Sequence, residues 1–430
     1  MPKSLLDELH QEGKSADDIF STQPIGEWRE DIWLPRVPLE REFSYTIGAT
    51  SQHICVDGPS GTGKTSLTQS MFFRYATPYI SVQIYDGMTW QQFCRNFIEA
   101  PRNTKITDTS MFRGVFKFFQ PEVGFDFRYT NEWSAKESME IVSHLADVWT
   151  PDDVAKSIAL NDFTLIVDDF ERGEGDLVRN IASLVKILGQ SYRGRVVVVG
   201  TDDVLMKLVK INPSISARVS EITVDGLGSP VDSANFIIRK FKLLKINTPF
   251  TSSGNSAVSR EVQTLVYSAT SGLLKDLNEL GLALAREVSA KRILSLNALR
   301  KICQVMIKEK SYRMRSQCRA LARVVNQSIE SQRVVEFLAT RGASKATFVA
   351  EIQDHFLNTL DDDKIEEVLS ILESEGVLAL TGAERRKVFF KNPIMFNSVV
   401  AQMDQNQSLQ HSLALLGGKI NTSARNLQPE

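Results

Sequence analysis

A glycine-rich turn between an apolar strand and a helix, within residues 53–75, constrains this chain more than any other feature. The turn, Gly58-Pro59-Ser60-Gly61-Thr62-Gly63-Lys64-Thr65, fits the pattern G-x-x-x-x-G-K-[ST] in full. Glycines let successive backbone N–H groups curl around a phosphate, and the following helix aims its positive end at the same anion. Lys64 has the reach for the β- and γ-phosphates, and the Thr65 hydroxyl, with Ser66 beside it, suits Mg²⁺. At average residue usage the pattern arises by chance in only about 1–2% of chains this long. The apolar run His53–Val56 before it and the helical run Ser66–Tyr75 after it sharpen the match. The expectation is a site for ATP and Mg²⁺, against an unliganded glycine turn.

Such a loop needs a second element that supplies carboxylates. Leu165-Ile166-Val167-Asp168-Asp169 has that form: an apolar strand ending in acids, at the strand end where open α/β sheets hold ligands. Asp168 is expected to bind the metal. Asp169 is expected to polarise the attacking water, or else to cap a helix; Glu171 is a lesser candidate for the same base. A third strand, Arg195–Gly200, ends in Thr201-Asp202-Asp203; nucleotide hydrolases that such motifs resemble use a polar residue at that strand end to sense the terminal phosphate, so Thr201 or Asp202 is expected to do so, or else to cap the next helix.

The remaining runs place these motifs in one sheet. His53–Asp57, Tyr79–Asp86, Phe163–Asp168, Arg195–Gly200 and Glu221–Val224 alternate with helical stretches, which predicts a doubly wound parallel sheet. The continuous apolar runs Leu165–Val167 and Val196–Val199 fit strands covered on both faces. The 430 residues are enough for two to four domains. Residues 1–45 read as a polar, irregular lead-in and 46–228 as the α/β core. A Phe-rich β-hairpin is inserted at about 112–130, as a self-packed element or a partner contact. Residues 229–315 are helical. Residues 320–404 read as three helices and a hairpin, an order that resembles a winged-helix domain, and 405–430 as a poorly ordered tail.

Composition removes several classes. No run approaches the ~20 apolar residues of a membrane span, and the N-terminus lacks the features of a secretory signal. Cys55, Cys94, Cys303 and Cys318 are too far apart for a zinc site or disulfide framework, so reduced thiols and a cytoplasmic location are expected. A net charge of −2 gives no global pull towards nucleic acid.

These motifs resemble those of AAA+ ATPases, in particular origin-recognition-like ATPases, transposition helpers of the TniB-like type and ATP-binding proteins of prokaryotic defence clusters. The resemblance covers roughly residues 30–310 and implies a helical lid at 229–315. Three softer features belong to it. Arg218, in Asn212-Pro213-Ser214-Ile215-Ser216-Ala217-Arg218, stands where such ATPases carry an arginine that reaches a neighbouring subunit's γ-phosphate, or else it is a surface ion pair. Lys275, in Ser271-Gly272-Leu273-Leu274-Lys275, stands where they place a basic residue over the nucleotide, usually Arg. Arg36-Val37-Pro38-Leu39-Glu40-Arg41 is similar to the segment they fold over adenine. Where Asp169 stands, most of them carry Glu.

The resemblance implies an oligomerising ATPase, with hydrolysis as a switch and no membrane partner. Residues 286–345 hold 14 Lys/Arg against 4 Asp/Glu, densest at Lys308, Lys310, Arg313, Arg315, Arg319 and Arg323. That stripe either tracks a nucleic-acid backbone or is a solvated face with its acids on neighbouring elements. The third helix of the C-terminal region opens Asp361-Asp362-Asp363, the wrong sign for reading DNA, and only the wing is basic, at Arg385, Arg386, Lys387 and Lys391. Two functions stay open: a nucleotide-controlled switch on a protein effector, in defence or signalling, and a DNA-assembled ATPase that recruits a nuclease or transposase. The acidic helix favours the first.

Overall fold

The computed structural model describes residues 15–21, 32–48, 53–103, 147–201, 204–250, 258–288, 293–313, 328–341, 345–357, 359–381 and 386–390. The inserted hairpin, Asp202, Cys318, the basic residues Arg315, Arg319, Arg323, Arg385 and Lys391, and the C-terminal tail lie outside them.

Five strands form a parallel sheet: β1 (His53–Asp57), β2 (Tyr79–Gln83), β3 (Thr164–Asp168), β4 (Arg195–Val199) and β5 (Val219–Thr223), in the order β2-β3-β4-β1-β5. The three central strands β3, β4 and β1 are buried along their whole length, whereas β2 and β5 at the edges are only partly so. This is why the central runs are continuously apolar and the edge strands are mixed. Successive residues serve opposite faces. Leu165, Val196 and Val198 join the core under α4 (Trp90–Asn103), α5 (Pro151–Asn161), α6 (Gly175–Gln190) and α7 (Val204–Ile211). Ile166, Val197 and Val199 face α2 (Val37–Gly48) and α3 (Lys64–Arg74).

The segment expected to be an irregular lead-in is partly structured. Besides α2, a single turn α1 (Ala16–Ile19) packs with Phe20 into the core of the helical region that follows the sheet. That region comprises α8 (Pro230–Leu243), α9 (Arg260–Thr270), α10 (Leu274–Arg286) and α11 (Leu296–Arg313). Gly281 of α10 leaves the space for the Phe20 ring, since a Cβ there would lie 2.1 Å from it.

The last described region has its own core of Val334, Ile352, Ile365, Leu369 and Phe390 among others. It runs α12 (Ile329–Arg341), β6 (Thr347–Phe348), α13 (Val349–Phe356), α14 (Asp362–Ser374), β7 (Leu378–Thr381) and β8 (Lys387–Phe390). The three strands form an antiparallel sheet in the order β6-β8-β7. The second of the three expected helices, α13, starts only at Val349, because Thr347 and Phe348 before it pair with Val388 and Lys387. Among the described residues no helix is long and apolar enough to cross a membrane.

Candidate nucleotide site

The C-terminal ends of β1, β3 and β4 are neighbours, and the motifs on those three ends share one cleft. The Gly58–Thr65 loop leaves β1 and enters α3, whose first turn carries Lys64 and Thr65. Gly58 lies so close to the chain after β5 that a Cβ would stand 2.3 Å from the Val224 carbonyl oxygen. Gly63 caps α3 with φ of 86°, in the left-handed region that glycine enters without penalty. The Thr62 hydroxyl donates to the Pro59 carbonyl at 3.0 Å and closes the turn.

Lys64 is buried, and its Nζ donates to the Gly58 and Pro59 carbonyls at 2.9 Å each. Burial pushes this ammonium down to about 8, against the opposing pull of Glu171, Asp168, Asp57 and Asp169 in decreasing order. The Thr65 hydroxyl lies 3.0 and 2.9 Å from the two carboxylate oxygens of Asp168. Burial raises the Asp168 carboxyl to about 6, a shift partly opposed by the Thr65 bond. An oxygen-only pair of hydroxyl and carboxylate is what a hard cation such as Mg²⁺ takes. The donor set fits the expected metal.

Pro59 and Thr62 shape the turn, and Ser60, Gly61 and Ser66 line the cleft beside Lys64 and Thr65. Asp169, Glu171, Thr201 and Lys275 line it as well. Lys275 arrives from α10, where its backbone N–H donates to the Gly61 carbonyl at 3.0 Å. Arg218 is elsewhere. It ends the 3₁₀ turn Pro213–Arg218 at the start of β5, which lies beside the start of β1 at the end of the sheet opposite the cleft, and its guanidinium donates to the Gly189 carbonyl.

Residues 48–208 match the family model described as AAA domain. The sheet and loop have the corresponding fold, that of an AAA P-loop NTPase. No curated protein matches the chain in sequence. Solved structures similar to it include a Walker-type ATPase of Pyrococcus abyssi, 13% identical over 89% of this chain and 99% of that one, with a TM-score of 0.47. Cdc6p from Pyrobaculum aerophilum is 10% identical, over 91% and 98%, with a TM-score of 0.42. The ORC2 protein of Aeropyrum pernix is 10% identical, over 90% and 98%, with a TM-score of 0.46.

Two parts of the cleft are not readable from its motifs. Arg36, from the segment expected over the base, lines the cleft and also braces the loop. Its guanidinium donates to the Thr62 carbonyl at 2.9 Å and to the Asp225 carbonyl. Burial lowers it to about 10, with Asp225 and Glu40 opposing. The cleft is also walled by Trp33, Leu34, Phe236, Lys240 and Asn278. Lys240 is tied to Asn278 at 2.7 Å and lies over the Phe236 ring. Only the tertiary fold joins residues so distant in sequence.

Proposed function

We propose that this protein is a Mg²⁺-dependent ATPase whose nucleotide state switches its association with other proteins. The observation that carries the reading is the contact of Thr65 with Asp168, which joins the phosphate loop to the acidic strand end across the cleft. Lys64 would exchange its two loop carbonyls for phosphate oxygens. Bound Mg²⁺ would neutralise charge on the β- and γ-phosphates. Thr65 and Asp168 would hold it, Thr201 would face the terminal phosphate, and Lys275 would close over the nucleotide from the lid. Arg218, absent from its own chain's cleft, is left to complete a neighbour's site in an assembly.

The partner is read as a protein effector rather than DNA, with prokaryotic defence as the setting that the family resemblance suggests. In the basic stripe, Lys310 is ion-paired to Asp276 at 2.7 Å, Arg300 to Glu261 at 2.5 Å, Lys301 to Glu287 at 3.8 Å and Arg341 to Glu351 at 3.2 Å. The C-terminal region is read as winged-helix-like. Of its wing cations, Arg386 is paired with Glu366 at 2.8 Å and Lys387 with Thr223, while exposed Asp362 and Asp363 open α14. Among the described residues, these paired cations offer phosphates little.

Equilibrium binding of a fluorescent ATP analogue, with and without Mg²⁺, tests the site. Lys64→Ala should lower affinity by about 100-fold, the loss of a charge-assisted contact to phosphate. A pull-down comparing wild type with Lys64→Ala tests the role: nucleotide-dependent recovery of a protein supports it, and recovery of DNA alone refutes it.

A further inference from the structure

Two carboxylates beyond Asp168 line the cleft, and the strand order separates them. Next to β3 lie β2 on one side and β4 on the other, and only β4 adjoins β1, which carries the phosphate loop. Asp169 turns towards β2. Its carboxylate accepts from the Gln83 side-chain amide at 2.8 Å, on the outer strand, and Arg172 stands 3.9 Å from the same oxygen. Glu171 turns towards β4. Its Oε2 accepts from the backbone N–H of Thr201 at 3.0 Å, at the strand end beside the loop.

The neighbourhood is cut to hold that glutamate. A Cβ at Gly200 would stand 2.9 Å from Glu171 Oε2, so any larger residue there would move the carboxylate. Behind it, Lys207 donates to the Glu171 carbonyl at 2.9 Å, and Phe170 is fully buried. Asp169 has a different duty. It adopts φ of 53°, the left-handed conformation that Asp tolerates better than Glu because its short polar side chain is less crowded. This bend takes the chain from the end of β3 into the 3₁₀ turn Phe170–Arg172 and aims Glu171 across to β4.

Resting on the ATPase reading above, we propose that Glu171, not Asp169, is the general base for hydrolysis. In the step, Glu171 takes a proton from water as the water oxygen bonds to the γ-phosphorus. The bond between that phosphorus and the β–γ bridging oxygen breaks, ADP leaves with the electron pair, and the proton passes to the released phosphate. Thr201 N–H holds one carboxylate oxygen, so the other is left for water. Asp169 is a positioning residue that acts through the backbone.

The test measures Mg²⁺-dependent binding of a fluorescent ATP analogue and steady-state phosphate release for wild type, Glu171→Gln and Asp169→Asn. Glutamine keeps an oxygen for Thr201 N–H, and asparagine tolerates the same backbone bend, so both variants should fold; a thermal melt checks it. Glu171→Gln should bind nucleotide like wild type and release phosphate about 100-fold more slowly or worse, the usual worth of a general base. Asp169→Asn should stay within roughly fivefold of wild type, well short of that factor. Gly200→Ala should keep nucleotide binding and slow turnover by displacing the carboxylate. The reverse pattern, with Asp169→Asn inactive and Glu171→Gln active, overturns the assignment and leaves the ATPase reading standing. Nucleotide binding by wild type with no phosphate release overturns it as well. Absence of nucleotide binding by wild type defeats both.

Discussion

The α/β core is touched from two directions near the phosphate loop, and the two contacts are made of different chemistry. From the helical region, α10 meets the loop mainly through apolar surface. Leu274 Cδ1 would lie 2.9 Å from a Cβ on Gly63, and the Lys275 N–H bond to Gly61 adds one polar tie. From the C-terminal region the contact is polar. The Asp225 carboxylate accepts from the Ala346 N–H at 2.9 Å, and Lys387 donates to the Thr223 hydroxyl. Apolar contacts are non-directional and are not weakened by salt, whereas buried polar ones demand a partner for every group. On the function proposed above, a helical region held the first way can slide over a nucleotide, and a module held the second way is either docked or released, as a switch requires.

Arg36 is where the two meet, since one guanidinium holds Thr62 in the loop and Asp225 at the C-terminal contact. Arg36→Met should therefore give the largest effect. It removes two charge-assisted bonds to carbonyls, together about 3 kcal/mol, and should weaken nucleotide binding along with thermal stability. If stability falls and affinity for the ATP analogue does not, the two contacts are independent.

Asp225 sharpens the comparison through pH. Burial raises this carboxyl to about 6, against the Ala346 bond and the nearby cations Arg36, Lys345 and Lys387. Because the folded state favours the protonated form more than the unfolded chain does, this group's contribution is fully present below pH ~4 and is lost as pH rises through ~6. Asp225→Asn keeps an acceptor for Ala346 without the buried charge. It should be more stable than wild type at pH 7.5 by about 2 kcal/mol, allowing for partial exposure, with the gap closing towards pH 4. Asp225→Ala should instead be less stable at pH 4, where it only orphans the Ala346 N–H. Melts of the three proteins across pH check the crossing.

These contacts also mark what sequence can and cannot convey. The loop residues Gly58–Thr65, the strand end at Asp168 and the five strands were legible because each is a local pattern with a local cause. The Asp225–Ala346 bond joins residues 121 apart, and Arg36 reaches a carbonyl 189 positions on, so no spacing rule records them. The direction in which Glu171 points was hidden for a subtler reason. It depends on the left-handed bend at Asp169, a backbone choice that the residue type permits without announcing. The short strand β6 was missed because two residues carry no period.

The smallest expected effect separates the two chemistries most cleanly. Lys387 contributes one hydrogen bond to Thr223 and stands over the Phe348 ring, with its ammonium 5.4 Å from the centroid. Lys387→Met keeps the length and apolar stem and removes the charge, at a cost of about 1 kcal/mol. Leu274→Ala on the α10 side should cost a similar amount, about 1.5 kcal/mol for a half-buried leucine. Their salt responses should differ. Raising the salt from 0.05 to 0.5 M shortens the screening length severalfold, so the loss caused by Lys387→Met should shrink as wild type gives up the same contact. The loss caused by Leu274→Ala should hold or grow. Equal salt responses in the two variants would mean that the C-terminal contact is apolar in practice, and the docked-or-released picture would fall with it.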